Sequence, residues 1–314
     1  MAAITLDKKG WSGSGRGRWT FFSDAVYATT TTENVAIETK PTTINTLTGS
    51  DSLVGTVTAG NGSGFGDPAA GVWVTTGTRL NLGLGDDQII GEANVESGSY
   101  NFGVYNEGAI DTGYGNDLIQ GSSRFGVCNN GSSTISMGDG SDQIIGESSD
   151  VNAAGQDFAV INHGFINMGA GKDSITGFNS TNGLFNDGKI TMGDGADTVD
   201  ALIGGAAGSP GGLQGGGLID FGRGDDVLKG FGEGTFNSGA GTDSLVLQDG
   251  IYTVVANGSN FLITATNLAL TPSPGTMTIN SFEKIGGAND PLYSGFLDIA
   301  ADTFKIENGN ISLA

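Results

Sequence analysis

Apolar and polar residues alternate in short runs through the middle of the chain, and the runs return in the same order. Ala109-Ile110-Asp111-Thr112, Phe165-Ile166-Asn167-Met168, Lys189-Ile190-Thr191-Met192 and Leu218-Ile219-Asp220-Phe221 are copies of one such run. Alternation with period two predicts strands with one face turned inward. Ile110, Ile166, Ile190 and Ile219 hold equivalent places and are expected to stack as a buried ladder, with Met137, Met168 and Met192 as a second column. Two turn signals punctuate the strands. Asn106-Glu107-Gly108, Asn162-His163-Gly164 and Asn186-Asp187-Gly188 precede the run, and Asn129-Asn130-Gly131 stands close to the same spacing. Asn and Gly in this order mark a tight turn between strands.

The second turn signal follows the run and recurs more faithfully than anything else. Gly83-Leu84-Gly85-Asp86-Asp87-Gln88-Ile89 sets its frame, Gly-x-Gly-x-Asp-x-apolar. The other copies run Gly113 to Ile119, Gly138 to Ile144, Gly169 to Ile175, Gly193 to Val199, Gly222 to Leu228 and Gly239 to Leu245. Two glycines one residue apart let the backbone take positive φ and turn sharply. The aspartate stands where it can bind turn amides or a cation, and the apolar residue two places on starts an inward-facing strand.

The frame aspartates are separated by 30, 25, 31, 24, 29 and 17 residues, with long and short steps alternating over most of the series. Asp87 to Asp142 and Asp142 to Asp197 are both 55, so the duplicated unit is a pair of rungs. Asp87-Gln88-Ile89-Ile90-Gly91-Glu92 matches Asp142-Gln143-Ile144-Ile145-Gly146-Glu147 accordingly. A repeat of this length, too short to bury its own apolar face, predicts an all-β fold: a parallel β-solenoid of the β-roll or β-helix kind. Each rung reads as strand, Asn-x-Gly turn, strand, Gly-x-Gly-x-Asp turn, strand, loop.

The ends differ from the middle. Residues 1–45 hold Trp11, Trp19, Phe21 and Phe22 beside Lys8, Lys9, Arg16 and Arg18, and read as an N-terminal cap over the first rung. Leu47-Thr48-Gly49-Ser50-Asp51-Ser52-Leu53 reads as a decayed first repeat. The repeats proper are expected over 46–243, with Gly204 to Gly212 as a loop. A C-terminal β cap is expected over 244–314, with strands at Ser244 to Leu247, Tyr252 to Ala256, Phe261 to Ala265 and Met277 to Phe282.

Charge gives the aspartates their meaning. The chain has 314 residues, 57 of them glycine, and 34 acids against 13 Lys and Arg, for a net charge of −21. That balance excludes a nucleic-acid partner, whose phosphates need cations. No run approaches the length of a transmembrane helix, and no N-terminal apolar segment marks a Sec-type leader. Cys128, the one cysteine, reads as a small buried residue.

If the glycine turns stack in register, the frame aspartates form a column about 5 Å apart. Two unit charges at that spacing repel by ~3 kcal/mol at an effective dielectric of 20. Lys172 and Arg223 are the only cations inside the frames, and protonation at neutral pH would need large pKa shifts. A hard divalent cation solves the problem, and Ca2+ accepts six to eight oxygens in flexible geometry. The candidate metal residues are therefore Gly83, Gly85, Asp87; Gly113, Gly115, Asp117; Gly138, Gly140, Asp142; Gly169, Gly171, Asp173; Gly193, Gly195, Asp197; Gly222, Gly224, Asp226; and Gly239, Gly241, Asp243.

The frame resembles the RTX family, the hemolysin-type calcium-binding repeat Gly-Gly-x-Gly-x-Asp-x-apolar-x. The first glycine of that nonapeptide is replaced here by Leu82, Thr112, Met137, Met168, Met192, Phe221 and Ser238, and the copies stand 17–31 residues apart. One such turn per rung allows one metal column. Leu245-Val246-Leu247, Tyr252-Thr253-Val254, Leu262-Ile263, Met277-Thr278-Ile279 and Ser281 to Ile285 are similar to the strands that follow the repeats in that family. The resemblance implies calcium as ligand, type I secretion through an uncleaved C-terminal signal, and folding on calcium outside the cell.

The expected role is thus that of a secreted or cell-surface calcium-binding protein with a structural or adhesive function. An extracellular polysaccharide or cell-surface component is the expected partner, and the loops Gly91 to Asn101 and Gly146 to Asp157 are the expected contact surface. The alternative is a calcium-dependent polysaccharide lyase or uronate epimerase, with Asp and Glu set beside Tyr100, Tyr105 or Tyr114. The chain has no His-Glu-x-x-His and no Gly-x-Ser-x-Gly, and His163, its single histidine, lies in an Asn-x-Gly turn. A row of turn-exposed residues as unlike as Leu84, Tyr114, Asp139, Ala170, Asp194, Arg223 and Ala240 does not suit ice binding.

Overall fold

A computed structural model describes residues 43–46, 48–57, 69–94, 101–148, 157–178, 182–202, 212–266, 275–287 and 303–313, and the backbone of short strands at 2–3, 18–20, 25–31, 36–37 and 293–294. The fold is all-β. Three sheets of twelve, fourteen and eight strands run along one axis among the described residues, built almost wholly from parallel neighbours.

One rung shows how the sequence makes them. Asn101–Asn106 lies in the eight-stranded sheet, Ala109–Tyr114 in the fourteen-stranded sheet and Leu118–Ser123 in the twelve-stranded sheet. The Asn-x-Gly turn joins the first pair and the Gly-x-Gly-x-Asp turn the second. The next rung repeats this with Phe125–Asn129, Thr134–Asp139 and Gln143–Ser148. Stacking is in register: Ile110 pairs with Ile135, Gly113 with Gly138, and Ile119 with Ile144. The predicted ladders are therefore the core. Ile110, Ile135, Ile166, Ile190 and Ile219 are at most 1% exposed, and Met137, Met168 and Met192 are fully buried. Leu82, Thr112 and Phe221 continue the methionine column.

At the Asn-x-Gly corner the asparagines form a ladder of their own. Asn106 Nδ2 donates to Asn129 Oδ1 at 2.8 Å, Asn129 to Asn162 at 2.9 Å, and Asn162 to Asn186 at 2.8 Å. All four are buried. The turn signal thus doubles as a buried polar spine, which closes the corner without leaving amides unpaired. Asn162→Ala removes the acceptor of Asn129 and the donor to Asn186 together. We expect a loss of about 2–4 kcal/mol in a denaturant melt, because Asn129 Nδ2, Asn186 Oδ1 and the Gly164 amide each lose a hydrogen-bond partner.

Stacking includes the segment read as a decayed repeat and continues past residue 243, the expected end of the repeats. The Ser52–Val57 strand lies parallel to Gln88–Ala93, and Thr48 bridges Leu84, so the segment read as a decayed repeat is a rung. At the other end, Thr276–Asn280 and Lys284–Gly287 are parallel to Gly234–Asn237 and Ser244–Leu247. An antiparallel hairpin, Gly250–Asn257 with Asn260–Ala265, is inserted between these rungs. Thr303–Glu307 adds to it antiparallel. Tyr252 lies 5.3 Å from Phe231 and 5.4 Å from Phe304 between ring centroids, so this insertion covers the apolar end of the core. The aromatic and basic cluster of the N-terminal segment, residues 204–211 of the expected loop and most of the two expected contact loops lie outside the residues whose side chains are described, and Gly212 opens the Gly212–Gln214 strand.

Candidate functional site

The frame glycines hold the turn. Every one of them, from Gly83 and Gly85 to Gly239 and Gly241, has φ between 97° and 158°. In this region an L side chain is strained and glycine is not. Successive turns also touch: the amide of Gly115 donates to the Asp139 carbonyl at 2.9 Å, and that of Gly140 to Ala170 at 2.8 Å.

Tight stacking turns the aspartates inward and makes them a chain. Asp87 N–H donates to Asp117 Oδ1 at 2.8 Å, Asp117 N–H to Asp142, Asp142 N–H to Asp173, and Asp173 N–H to Asp197. Asp197 N–H then donates to Asp226, and Asp226 N–H to Asp243. All seven are at most 1% exposed. Each carboxylate thus satisfies the turn amide of the rung before it through Oδ1. Oδ2 of Asp87, Asp117, Asp142, Asp173, Asp197, Asp226 and Asp243 is buried with no hydrogen-bond partner.

Two members of the chain carry weaker sequence signals. Asp51 N–H donates to Asp87 Oδ1 at 2.6 Å, which starts the ladder one rung earlier. Asp243 N–H donates to Glu283 Oε2 at 2.7 Å, which ends it. Gly49-x-Asp51-x-Leu53 is half a frame, and Glu283-x-Ile285 keeps the spacing of Asp243-x-Leu245. Acid-x-apolar at rung spacing is the signal that finds both.

Burial changes the acid chemistry. Desolvation raises the carboxyl of every frame aspartate, opposed by the amide hydrogen bond and assisted by neighbouring carboxylates. Asp87, Asp142 and Asp226 are pushed up to about 7, and Asp173 and Asp197 to about 6. Asp117 and Asp243 are raised as well. These are the large shifts that protonation near neutral pH needs, and they arise because an interior column meets a desolvation penalty that a solvated turn does not. Each tenfold weakening of an acid costs its ionised form about 1.4 kcal/mol. Keeping the whole column ionised without a counter-charge therefore works against the fold.

No family model, no curated protein and no solved structure matches this chain.

The column's open atoms are hard carboxylate oxygens, one per rung, in contact with the next rung through the Asp–amide bonds. That donor set suits a calcium-type cation. Among the described residues no group of three or more His, Cys, Asp or Glu side chains converges on one point. The column instead offers its carboxylates two at a time, from consecutive rungs, and turn carbonyls or water would complete the shell. The other candidate groups lie elsewhere. His163 is exposed in its turn with Nδ1 2.7 Å from Asp187 Oδ1. Lys172 and Arg223 are exposed, Arg223 reaching Asp194 at 3.4 Å. Cys128 is buried, and burial pushes its thiol up to about 12. Tyr114 is exposed on the turn, whereas Tyr105 bonds Glu107. No described helix is long and apolar enough to cross a membrane.

Proposed function

We propose that this protein is a calcium-binding β-solenoid with a structural or adhesive role outside the cell. One observation carries the reading: seven buried Asp Oδ2 atoms without partners, stacked in a single column. Asp87, Asp117, Asp142, Asp173, Asp197, Asp226 and Asp243 would hold the ions between rungs, and the glycines would let the turn backbone come close. Bound calcium supplies positive charge that cancels the repulsion along the column. The chain's own part is to bury the carboxylates, fix each Oδ1 on an amide and leave Oδ2 free. Calcium is scarce in cytoplasm and abundant outside, so a column of this kind favours folding after export, in keeping with the resemblance to exported RTX proteins.

A second reading is favoured by the raised pKa values of the aspartates. Protons on alternate Oδ2 atoms would also neutralise the column, with no metal. Asp142→Asn separates the two, because it keeps the Oδ1 acceptor and removes the charge. Under the calcium reading the variant melts higher than the parent in chelator, melts lower in calcium, and binds fewer ions by titration calorimetry. A variant stabilised equally in both buffers would leave only the proton reading.

A further inference from the structure

A second apolar cluster lies apart from the solenoid core, on the eight-stranded sheet. Ala70, Phe102, Phe125, Cys128 and Ile161 are its buried members, with Trp73 and Tyr105 half-buried at its edge. Trp73 and Tyr105 are paired across adjacent rungs, with ring centroids 6.0 Å apart, and Tyr105 stacks on Phe102 at 4.5 Å. Beside them Glu107 projects from the Asn-x-Gly turn. Its Oε2 accepts from Trp73 Nε1 at 3.0 Å and its Oε1 from the Tyr105 hydroxyl at 3.2 Å. Asn130 Nδ2 donates to the Tyr105 oxygen at 2.8 Å and approaches Glu107 Oε1 at 3.4 Å. The two rings are thus fixed at their polar edges by one carboxylate.

Glu107 has only neutral donors around it and takes part in none of the ion pairs among the described residues. Its charge is held in place and not cancelled. Aromatic faces attract cations, more strongly when a carboxylate stands beside them. The same faces stack on the apolar side of a sugar ring. Three rungs along the sheet, Phe185 occupies the place of Tyr105 through the pairs with Cys128 and Ile161, and Asp187 the place of Glu107. The aromatic is thus repeated along the axis, as Tyr105 and Phe185, whereas Asp187 is engaged by His163, whose Nδ1 lies 2.7 Å from its Oδ1 and whose ring centroid lies 5.3 Å from that of Phe185. At ~4.8 Å per rung Tyr105 and Phe185 lie roughly 14 Å apart, within reach of a short extended oligomer. The net charge of −21 repels uronates and other acidic glycans.

We propose that this strip, centred on Trp73, Tyr105 and Glu107, binds a glycan that carries free amino groups, its sugar rings against the aromatics and an ammonium group against Glu107. The inference does not depend on the calcium column.

Titration calorimetry with a glucosamine hexamer, run beside cellohexaose and a galacturonate oligomer in calcium-containing buffer, tests it. The expected order is glucosamine hexamer bound, cellohexaose at least tenfold weaker, and galacturonate unbound. Glu107→Gln is expected to weaken the glucosamine hexamer at least tenfold, and Trp73→Phe, which keeps the ring but loses the Nε1 bond, by less. Glu307→Gln makes the same charge change on the exposed residue that pairs with Lys305 and is expected to leave binding unchanged. Strand circular dichroism establishes that each variant is folded. Equal weakening by Glu107→Gln and Glu307→Gln, or no binding of the hexamer, overturns the proposal.

Discussion

Gly171→Ala is expected to destabilise the solenoid by about 4 kcal/mol or more, among the largest effects of a single methyl group. Two costs add. Gly171 has φ of 144°, where a β-carbon is strained. A Cβ there would also lie 1.5 Å from the carbonyl oxygen of Gly140 in the preceding turn. That neighbour is backbone, so it cannot swing aside, and the turns would have to separate. Separation breaks the Gly140 amide bond to Ala170 and the Asp142 amide bond to Asp173, so the damage spreads to both rungs. Gly216→Ala is the control. It is a glycine with nothing within 4 Å of an added Cβ, and a change within ±0.5 kcal/mol is expected. Urea denaturation of both variants makes the comparison.

The second large effect is an inverted pH dependence in the metal-free protein. The frame aspartates have folded pKa values above the ordinary carboxylate value of 3.8, near 6 for Asp173 and Asp197 and near 7 for Asp87, Asp142 and Asp226. The folded state therefore holds more protons than the unfolded state between those limits. Its extra stability is full below about pH 4 and is lost as the pH rises through 6 to 7. Many proteins lose stability on acidification, when paired carboxylates are protonated, so the expected slope here is of the opposite sign. In chelator, the melting temperature should rise steadily from about pH 8 to about pH 5. Calcium should flatten the profile, because it requires the ionised form that protonation removes. A profile in chelator that falls on acidification would mean that the column is not what limits stability.

Much of this was legible in the residues. The period of the Gly-x-Gly-x-Asp frame placed the turns, and matched Ile and Met positions placed the core, because in-register stacking forces equivalent residues into contact. The Asp column followed from the same register. Three things were not legible. Sequence spacing says that carboxylates are stacked but not how deeply. Only the closeness of turns such as Gly140 and Gly171 shows that the column is interior, with Oδ1 bound to amides. Asp51 and Glu283 belong to the ladder although their frames have lost glycines, since a carboxylate at the right place is all the preceding amide needs. The Gly250–Asn257 hairpin is an insertion between two rungs, and local strand signals carry no information about which partner a strand will take. The outer cluster was hidden for a related reason. Phe102 and Tyr105 stack on each other although three residues apart, which simple alternation does not foresee.

The central claim is that a buried column of aspartates needs a cation to be ionised inside the fold. The most direct test is the melting temperature of the protein at about pH 8, where unfolded carboxylates are fully charged, measured by circular dichroism in chelator and again with excess calcium. A large upward shift with calcium is predicted, with magnesium less effective because it demands stricter geometry and gives up water reluctantly. The same melting temperature in both buffers would contradict the claim.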